Sequence, residues 1–257
     1  MRLLVSAASA TDAAAALAGG ASFIDAKNPD AGALGPVSLE VFQDIVAAVA
    51  GQRPVTAAIG DARSRASVET DARMFASHGA GLVKVGFSGI AAIPVVRALA
   101  EAAVSGAHAG GGRAVLVAYV DRAHDCVSPA ALLDVASFAG AAGVLLDTAD
   151  KGGRRLTELL SPASLAAWVD RAHRQALLVA LAGRLHADDL PIVRQCGADV
   201  AGVRGAACMG GRGGVVEVAR VRALLDACEG GRRVRENSAS QRLRADAGSG
   251  TRQSPAG

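Results

Sequence analysis

Of the 27 basic residues only three are lysines, Lys27, Lys84 and Lys151; arginine serves everywhere else. A guanidinium stays protonated and cannot condense with a carbonyl, whereas a lysine amine can lose its proton and act as nucleophile or base. A lysine retained against that bias is a candidate for amine chemistry. Aspartates stand close to these lysines: Asp25 two residues before Lys27, and Asp147 four residues before Lys151. A two-residue offset along a strand puts both side chains on one face, so Asp25 and Lys27 are predicted to point together. Lys84 lies between Val83 and Val85 and is predicted to point away from both. Crowded, partly buried ammonium groups lower one another's pKa, which is how a lysine becomes a nucleophile or base near neutrality. Asp25 and Asp147 would then orient the amines and relay protons. The plainer reading makes Lys27 and Lys151 solvated loop residues, Lys84 a snorkelling lysine and the aspartates ion-pair partners.

Which reading holds depends on the elements that carry these residues. Short apolar runs alternate with Ala-rich helical segments along the chain. The predicted strands are Arg2–Ala7, Phe23–Lys27, Pro54–Ile59, Leu82–Phe87, Arg113–Val120, Gly143–Thr148, Ala176–Ala182 and Val200–Arg204. Ser128-Pro129 and Ser161-Pro162 read as helix N-cap followed by first helical position. Glycines before strands four, six and eight mark helix ends. Strands that are continuously apolar suit a parallel sheet covered by helices, and eight such units in about 230 residues predict a single (β/α)8 TIM barrel. A doubly wound open sheet is the second choice, but no Gly-x-Gly-x-x-Gly follows the first strand. In the barrel, active sites lie at the carboxyl ends of the strands. The lysines map there, on strands two, four and six, and alternate strands share interior layers.

The last two strand-to-helix loops carry a different signal. Strand seven runs into Gly183-Arg184; strand eight runs into Arg204-Gly205-Ala206-Ala207-Cys208, then Gly210-Gly211-Arg212-Gly213-Gly214. Small residues let backbone N–H groups approach an anion, and barrels often bind phosphate at these loops. Gly183, Arg184, Arg204, Gly205 and Ala206 are therefore the expected phosphate contacts, with either arginine able to bind bidentately. Among the histidines only His124, after strand five, could reach the site, and it is not counted among the expected site residues. No His/carboxylate set suggests a metal, and no cofactor is expected.

Composition narrows the function classes. The chain is 51% hydrophobic, enough for a large core, and has too few aromatic residues to stack nucleic-acid bases. From residue 231 onward six arginines face Glu236 and Asp246, so the net +3 leaves the body at −1, without a nucleic-acid footprint. Residues 229–257, rich in Arg, Ser, Gly and Ala, are expected to be a disordered tail after a catalytic barrel of residues 1–228. No apolar run spans a bilayer. The N-terminal Leu3-Leu4-Val5 is too short for a signal-peptide core, and the four cysteines show no metal or disulfide spacing. A cytoplasmic enzyme of small molecules is expected, without nucleic-acid or membrane partners; a homo-oligomer is left open.

Phe23-Ile24-Asp25-Ala26-Lys27-Asn28-Pro29, with Ala33-Leu34-Gly35, resembles the signature of the (5-formylfuran-3-yl)methyl phosphate synthases. These are also called 4-(hydroxymethyl)-2-furancarboxaldehyde-phosphate synthases, a barrel family of methanofuran biosynthesis. Ala57-Ala58-Ile59-Gly60-Asp61, Val83-Lys84-Val85-Gly86, Leu146-Asp147-Thr148-Ala149 with Lys151, and Gly202-Val203-Arg204-Gly205-Ala206-Ala207-Cys208 are similar too. The resemblance covers about residues 1–228. It implies a lyase that joins two molecules of glyceraldehyde 3-phosphate, losing water and one phosphate, with Lys27 as Schiff-base lysine and Lys84 as proton acceptor. Arg184 stands where the family pattern carries a smaller residue. Two other readings fit the same residues: another Schiff-base aldolase for a sugar phosphate, and a non-catalytic barrel that binds a phosphorylated metabolite.

Overall fold

Each apolar run of the sequence becomes a strand whose alternate residues face two different apolar environments. The structure is a computed structural model that describes residues 1–122 and 124–230. Its strands are β1 (Arg2–Ala7), β2 (Phe23–Ala26), β3 (Val55–Asp61), β4 (Ala80–Gly86), β5 (Arg113–Tyr119), β6 (Gly143–Asp147), β7 (Leu178–Leu181) and β8 (Val200–Val203). They pair in parallel in chain order, and β8 closes on β1. The fold is the expected (β/α)8 barrel.

Residues such as Ile24, Val83, Val85 and Leu146 face the helices and join one large apolar layer. Phe23, Val115, Val117 and Leu145 point the other way and fill the barrel interior with a second, smaller cluster. Both faces are apolar, which is why the strands read as unbroken runs. Parallel registry fixes the heights of the polar exceptions: Asp25 pairs with Ser6 and Thr56, and Lys84 with Ala58 and Val115.

The helices are α1 (Ala10–Ala18), α2 (Leu39–Val49), α3 (Arg65–Ser77), α4 (Ile93–Ala109), α5 (Pro129–Ala139), the single turn α6 (Leu156–Leu159), α7 (Pro162–Arg174), α8 (Leu190–Gln195) and α9 (Val218–Glu229). Ser128 and Ser161 cap α5 and α7 as predicted, each accepting an N–H bond from three residues on, with Pro next in line. Gly140 closes α5 in the left-handed conformation. The last helix reaches Glu229 and is capped by Gly230, so it takes in the first residue assigned to the tail. The rest of that tail, 231–257, lies outside the described residues.

One element was not predicted. After β8 the chain forms a small antiparallel hairpin, β9 (Cys208–Met209) and β10 (Val215–Val216), with Gly210–Gly214 as its turn. Gly210 and Gly211 both have positive φ, 83° and 78°, which side chains at these positions would resist. Among the described residues no helix is long and apolar enough to cross a membrane, and all four cysteines are free and buried.

Candidate active site

The carboxyl ends of the strands enclose a cavity of about 750 Å³. Lys27, Lys84, Lys151, Asp25 and Asp147 all line it, together with Arg184, Arg204, Arg212 and the small residues Gly183, Gly205 and Ala206. The five predicted catalytic side chains are thus brought together.

They divide into two ion pairs and one lysine left over. Lys84 Nζ lies 2.5 Å from Asp25 Oδ2, with both side chains buried. Asp25 also accepts from Ser6 Oγ at 3.0 Å and Thr56 Oγ1 at 2.7 Å, which satisfies a carboxylate that is otherwise wholly out of water. Lys151 Nζ donates to Asp147 Oδ1 at 2.6 Å, and the Thr148 N–H donates to the same oxygen at 2.8 Å. Burial works to raise the Asp147 carboxyl, but Lys151, Lys27 and that N–H outweigh it and hold it below its ordinary value.

The Lys27 amine has neither a hydrogen bond nor an ion pair among the described residues, and the residue is only 7% exposed. Lys27 comes directly after β2, yet it keeps the inward direction of Asp25. Burial drives its amine down from 10.5 to about 7; Lys151 and Lys84 push the same way, against the attraction of Asp147 and Asp25. Near neutral pH about half of it is the free amine, the form that attacks a carbonyl. Neither the solvated-loop reading of Lys27 nor the snorkelling reading of Lys84 describes these positions. Lys151, 13% exposed at its side chain, is also drawn in from the loop.

The other acids at the strand ends brace this arrangement. Asp121 accepts the N–H groups of Ala149 and Asp150, both at 2.8 Å, and so fixes the loop that delivers Lys151. Asp61 accepts from the buried Tyr119 hydroxyl at 2.9 Å and from the Ser88 N–H. Burial and the nearby Asp61 and Asp147 push the Tyr119 hydroxyl far above its ordinary pKa, so it serves as a donor only. A Cβ on Gly86 would collide with both partners, which explains the glycine beyond Lys84. His124 is 75% exposed at its side chain, paired with Asp125, and stands outside the cavity.

Arg204 departs from expectation. Its buried guanidinium donates through Nη1 to Asp12 Oδ2 (2.6 Å) and the Ser6 carbonyl (2.9 Å), through Nη2 to the Gly214 carbonyl (2.8 Å) and through Nε to the Arg212 carbonyl (3.1 Å). Four donors are committed inside the protein, so the bidentate phosphate contact expected of it is not available. Asp12 in turn accepts from the Ala8 and Val216 N–H groups. The pair therefore staples the β9–β10 hairpin to β1. Breaking a buried pair from one side leaves an uncompensated charge, so Arg204→Met is expected to lower unfolding free energy by about 3–5 kcal/mol in urea titrations.

Arg184 keeps its predicted place. It follows Gly183 (φ 103°) in a left-handed conformation of its own, φ 58°, at the cavity rim. The other two non-glycine residues with positive φ, Ala50 and Ala176, lie at or just beyond helix C-termini, where that conformation is ordinary. Arg184 has no such excuse, and strain of this kind of about 1 kcal/mol collects at functional sites. Its guanidinium has no hydrogen bond or ion pair among the described residues. No three His, Cys, Asp or Glu side chains are grouped as metal ligands among the described residues.

Several barrels of known structure share this architecture. Phosphoribosyl anthranilate isomerase from Thermus thermophilus superposes with a TM-score of 0.61 over 90% of this chain and 99% of that one, at 14% identity. A 3-hexulose-6-phosphate synthase does so with a TM-score of 0.60 over 88% and 99%, at 23% identity. At such identities these matches speak for the fold alone. Sequence relatives are nearer. The (5-formylfuran-3-yl)methyl phosphate synthase of Methanopyrus kandleri is 38% identical over 235 residues, 88% of this chain and 98% of its own length. The protein of that name from Methanocaldococcus jannaschii is 34% identical over 89% of this chain and all of its own. The sequence pattern of the 4-HFC-P synthase family matches residues 3–225, nearly the whole barrel, and the chain belongs to that family.

Proposed function

We propose that this chain condenses two molecules of glyceraldehyde 3-phosphate to (5-formylfuran-3-yl)methyl phosphate, releasing one phosphate and two molecules of water. The observation that supports this most is the buried Lys27 amine, unpaired among the described residues and with a pKa of about 7, set between two lysine–aspartate pairs. Lys27 adds to the carbonyl of one triose phosphate. Lys84, an ammonium against Asp25, gives its proton to the departing hydroxyl as the carbinolamine becomes an iminium. The amine left on Lys84 then takes the α-proton that the iminium acidifies. The resulting enamine attacks the aldehyde of the second triose. Loss of phosphate and water with ring closure forms the furan and frees Lys27, with Asp147 and Lys151 exchanging the remaining protons.

Purified protein given glyceraldehyde 3-phosphate alone is expected to yield a near-ultraviolet-absorbing product with the mass of the furan phosphate. Borohydride added during turnover is expected to fix a triose phosphate on the Lys27 peptide. A simple aldol product would favour a sugar-phosphate aldolase on the same scaffold, and label on another lysine would refute the assignment of Lys27.

The depressed Lys27 pKa also sets a pH profile. Only the free amine is productive, so kcat/KM is expected to rise tenfold per pH unit up to about 7 and to level off above it. A profile still climbing steeply at pH 9 would mean that the nucleophile is a lysine with an ordinary pKa.

A further inference from the structure

The hairpin after β8 has no task in the chemistry above, yet its turn forms part of the cavity wall. Arg212 sits in the middle of that turn. Its Nη2 donates to the Gly32 carbonyl at 2.8 Å and the Pro29 carbonyl at 3.2 Å, both in the loop that leaves Lys27. This bond pair latches the end of the barrel chain to its second loop. Among the described residues the Nε and Nη1 donors have no partner, and no carboxylate there is in ion-pair contact with Arg212. The side chain is half-buried, and Asp147 and Asp30 act on it only through space, with Arg204 opposing them.

A guanidinium taken partly out of water without a counter-ion is an unfavourable state that an anion would relieve. Of the other cations lining the cavity, Lys84 is matched by Asp25, Lys151 by Asp147, Arg204 by Asp12 and Arg220 by Glu217, while Lys27, about half neutral near pH 7, is left for the carbonyl. Arg184 and Arg212 are the two cavity arginines without such a match among the described residues. They are mounted apart, Arg184 beyond β7 and Arg212 tied to the loop after β2, three strands further round the barrel. Two separated, unmatched guanidinium groups suit two separate anions rather than one.

We propose that Arg212 is a second anion-binding position in this cavity, which takes the phosphate monoester of one triose while Arg184 takes that of the other. The division of the two phosphates rests on the condensation of two triose phosphates proposed above; the anion site itself does not. The Arg204–Asp12 staple then has a purpose, since Arg204 holds the carbonyl of Arg212 and sets the height of its side chain over the cavity. The glycines of the turn let the chain reverse tightly enough to carry that one long side chain inward.

Calorimetric titration of the full chain with inorganic phosphate tests the site without reference to any reaction. Wild type is expected to bind two phosphates per chain, and Arg212→Met and Arg184→Met one each. Arg212→Gln keeps an amide donor for the Pro29 and Gly32 carbonyls but lacks the charge, and it is expected to behave as Arg212→Met does. In turnover Arg212→Gln is expected to raise KM for glyceraldehyde 3-phosphate about 10- to 100-fold, the loss of a charge-assisted contact, with a much smaller change in kcat. If Arg212→Gln still binds two phosphates, Arg212 is a latch and the proposal is wrong. If Arg212→Gln loses one phosphate although wild type makes no furan, the anion site stands and the proposed reaction falls.

Discussion

Lys27→Arg is expected to lose at least about 10⁴-fold in turnover, together with all borohydride trapping, while the barrel stays folded. The substituted guanidinium is a basic side chain of similar reach that stays protonated and cannot form an imine. A loss of that size corresponds to about 5.5 kcal/mol of transition-state stabilisation, which is reasonable for removing the covalent route altogether. Trapping and turnover measured side by side separate the covalent role from a merely electrostatic one. A Lys27→Arg protein retaining a tenth of wild-type activity would remove the imine from the mechanism.

The same residue should reveal what the site costs the fold. The folded pKa of Lys27 lies near 7 and the unfolded value near 10.5, so between those values the unfolded chain binds a proton that the folded chain does not. Stability therefore falls as pH is lowered from 10.5 toward 7, and below about 7 the full penalty is present. Lys27→Met has no such proton to lose. It is expected to be more stable than wild type by about 2–4 kcal/mol near pH 7, with the difference fading as pH approaches 10.5. An inactive variant that gains stability is the signature of a group placed for chemistry.

The barrel was legible because its strands carry apolar residues on both faces and because helices such as α5 and α7 begin after Ser and others such as α1, α5 and α9 end at Gly. The lysines were legible because arginine is so dominant elsewhere that three exceptions stand out. The strand ends were read less well: β3 extends to Asp61, two residues beyond the predicted end, because Gly60 and Asp61 carry no apolar signal. The β9–β10 hairpin has strands of two residues each, too short for any period to show, and the glycines around Arg212 resemble a phosphate loop as much as a turn.

Arg204 was misread for another reason. Its partner Asp12 lies 192 residues away on α1, where an acid near a helix N-terminus already has a local explanation. Ser6 and Thr56 escaped notice likewise, because their bonds to Asp25 exist only once β1, β2 and β3 lie side by side. Pairings of this sort follow from barrel closure and leave no mark on spacing.

Lys84→Met is expected to separate imine formation from the α-proton transfer that depends on it. Lys27 remains, so borohydride should still trap triose phosphate, though more slowly for want of an acid to expel the hydroxyl. Exchange of the α-proton with deuterated water, which needs the Lys84 amine, is expected to fall by about 10²- to 10⁴-fold, and furan formation with it. The substitution also strands the buried Asp25 carboxylate, at a cost of about 3–5 kcal/mol in stability. Asp25→Asn in the same chain removes that stranded charge while Ser6 and Thr56 still have an amide to bond. The double variant is therefore expected to regain most of the lost stability and none of the proton exchange. Recovery of both together would mean that Lys84 acts only by neutralising Asp25, and the proton would then have to leave through Lys151 and Asp147, the only other lysine–aspartate pair among the described residues of the cavity.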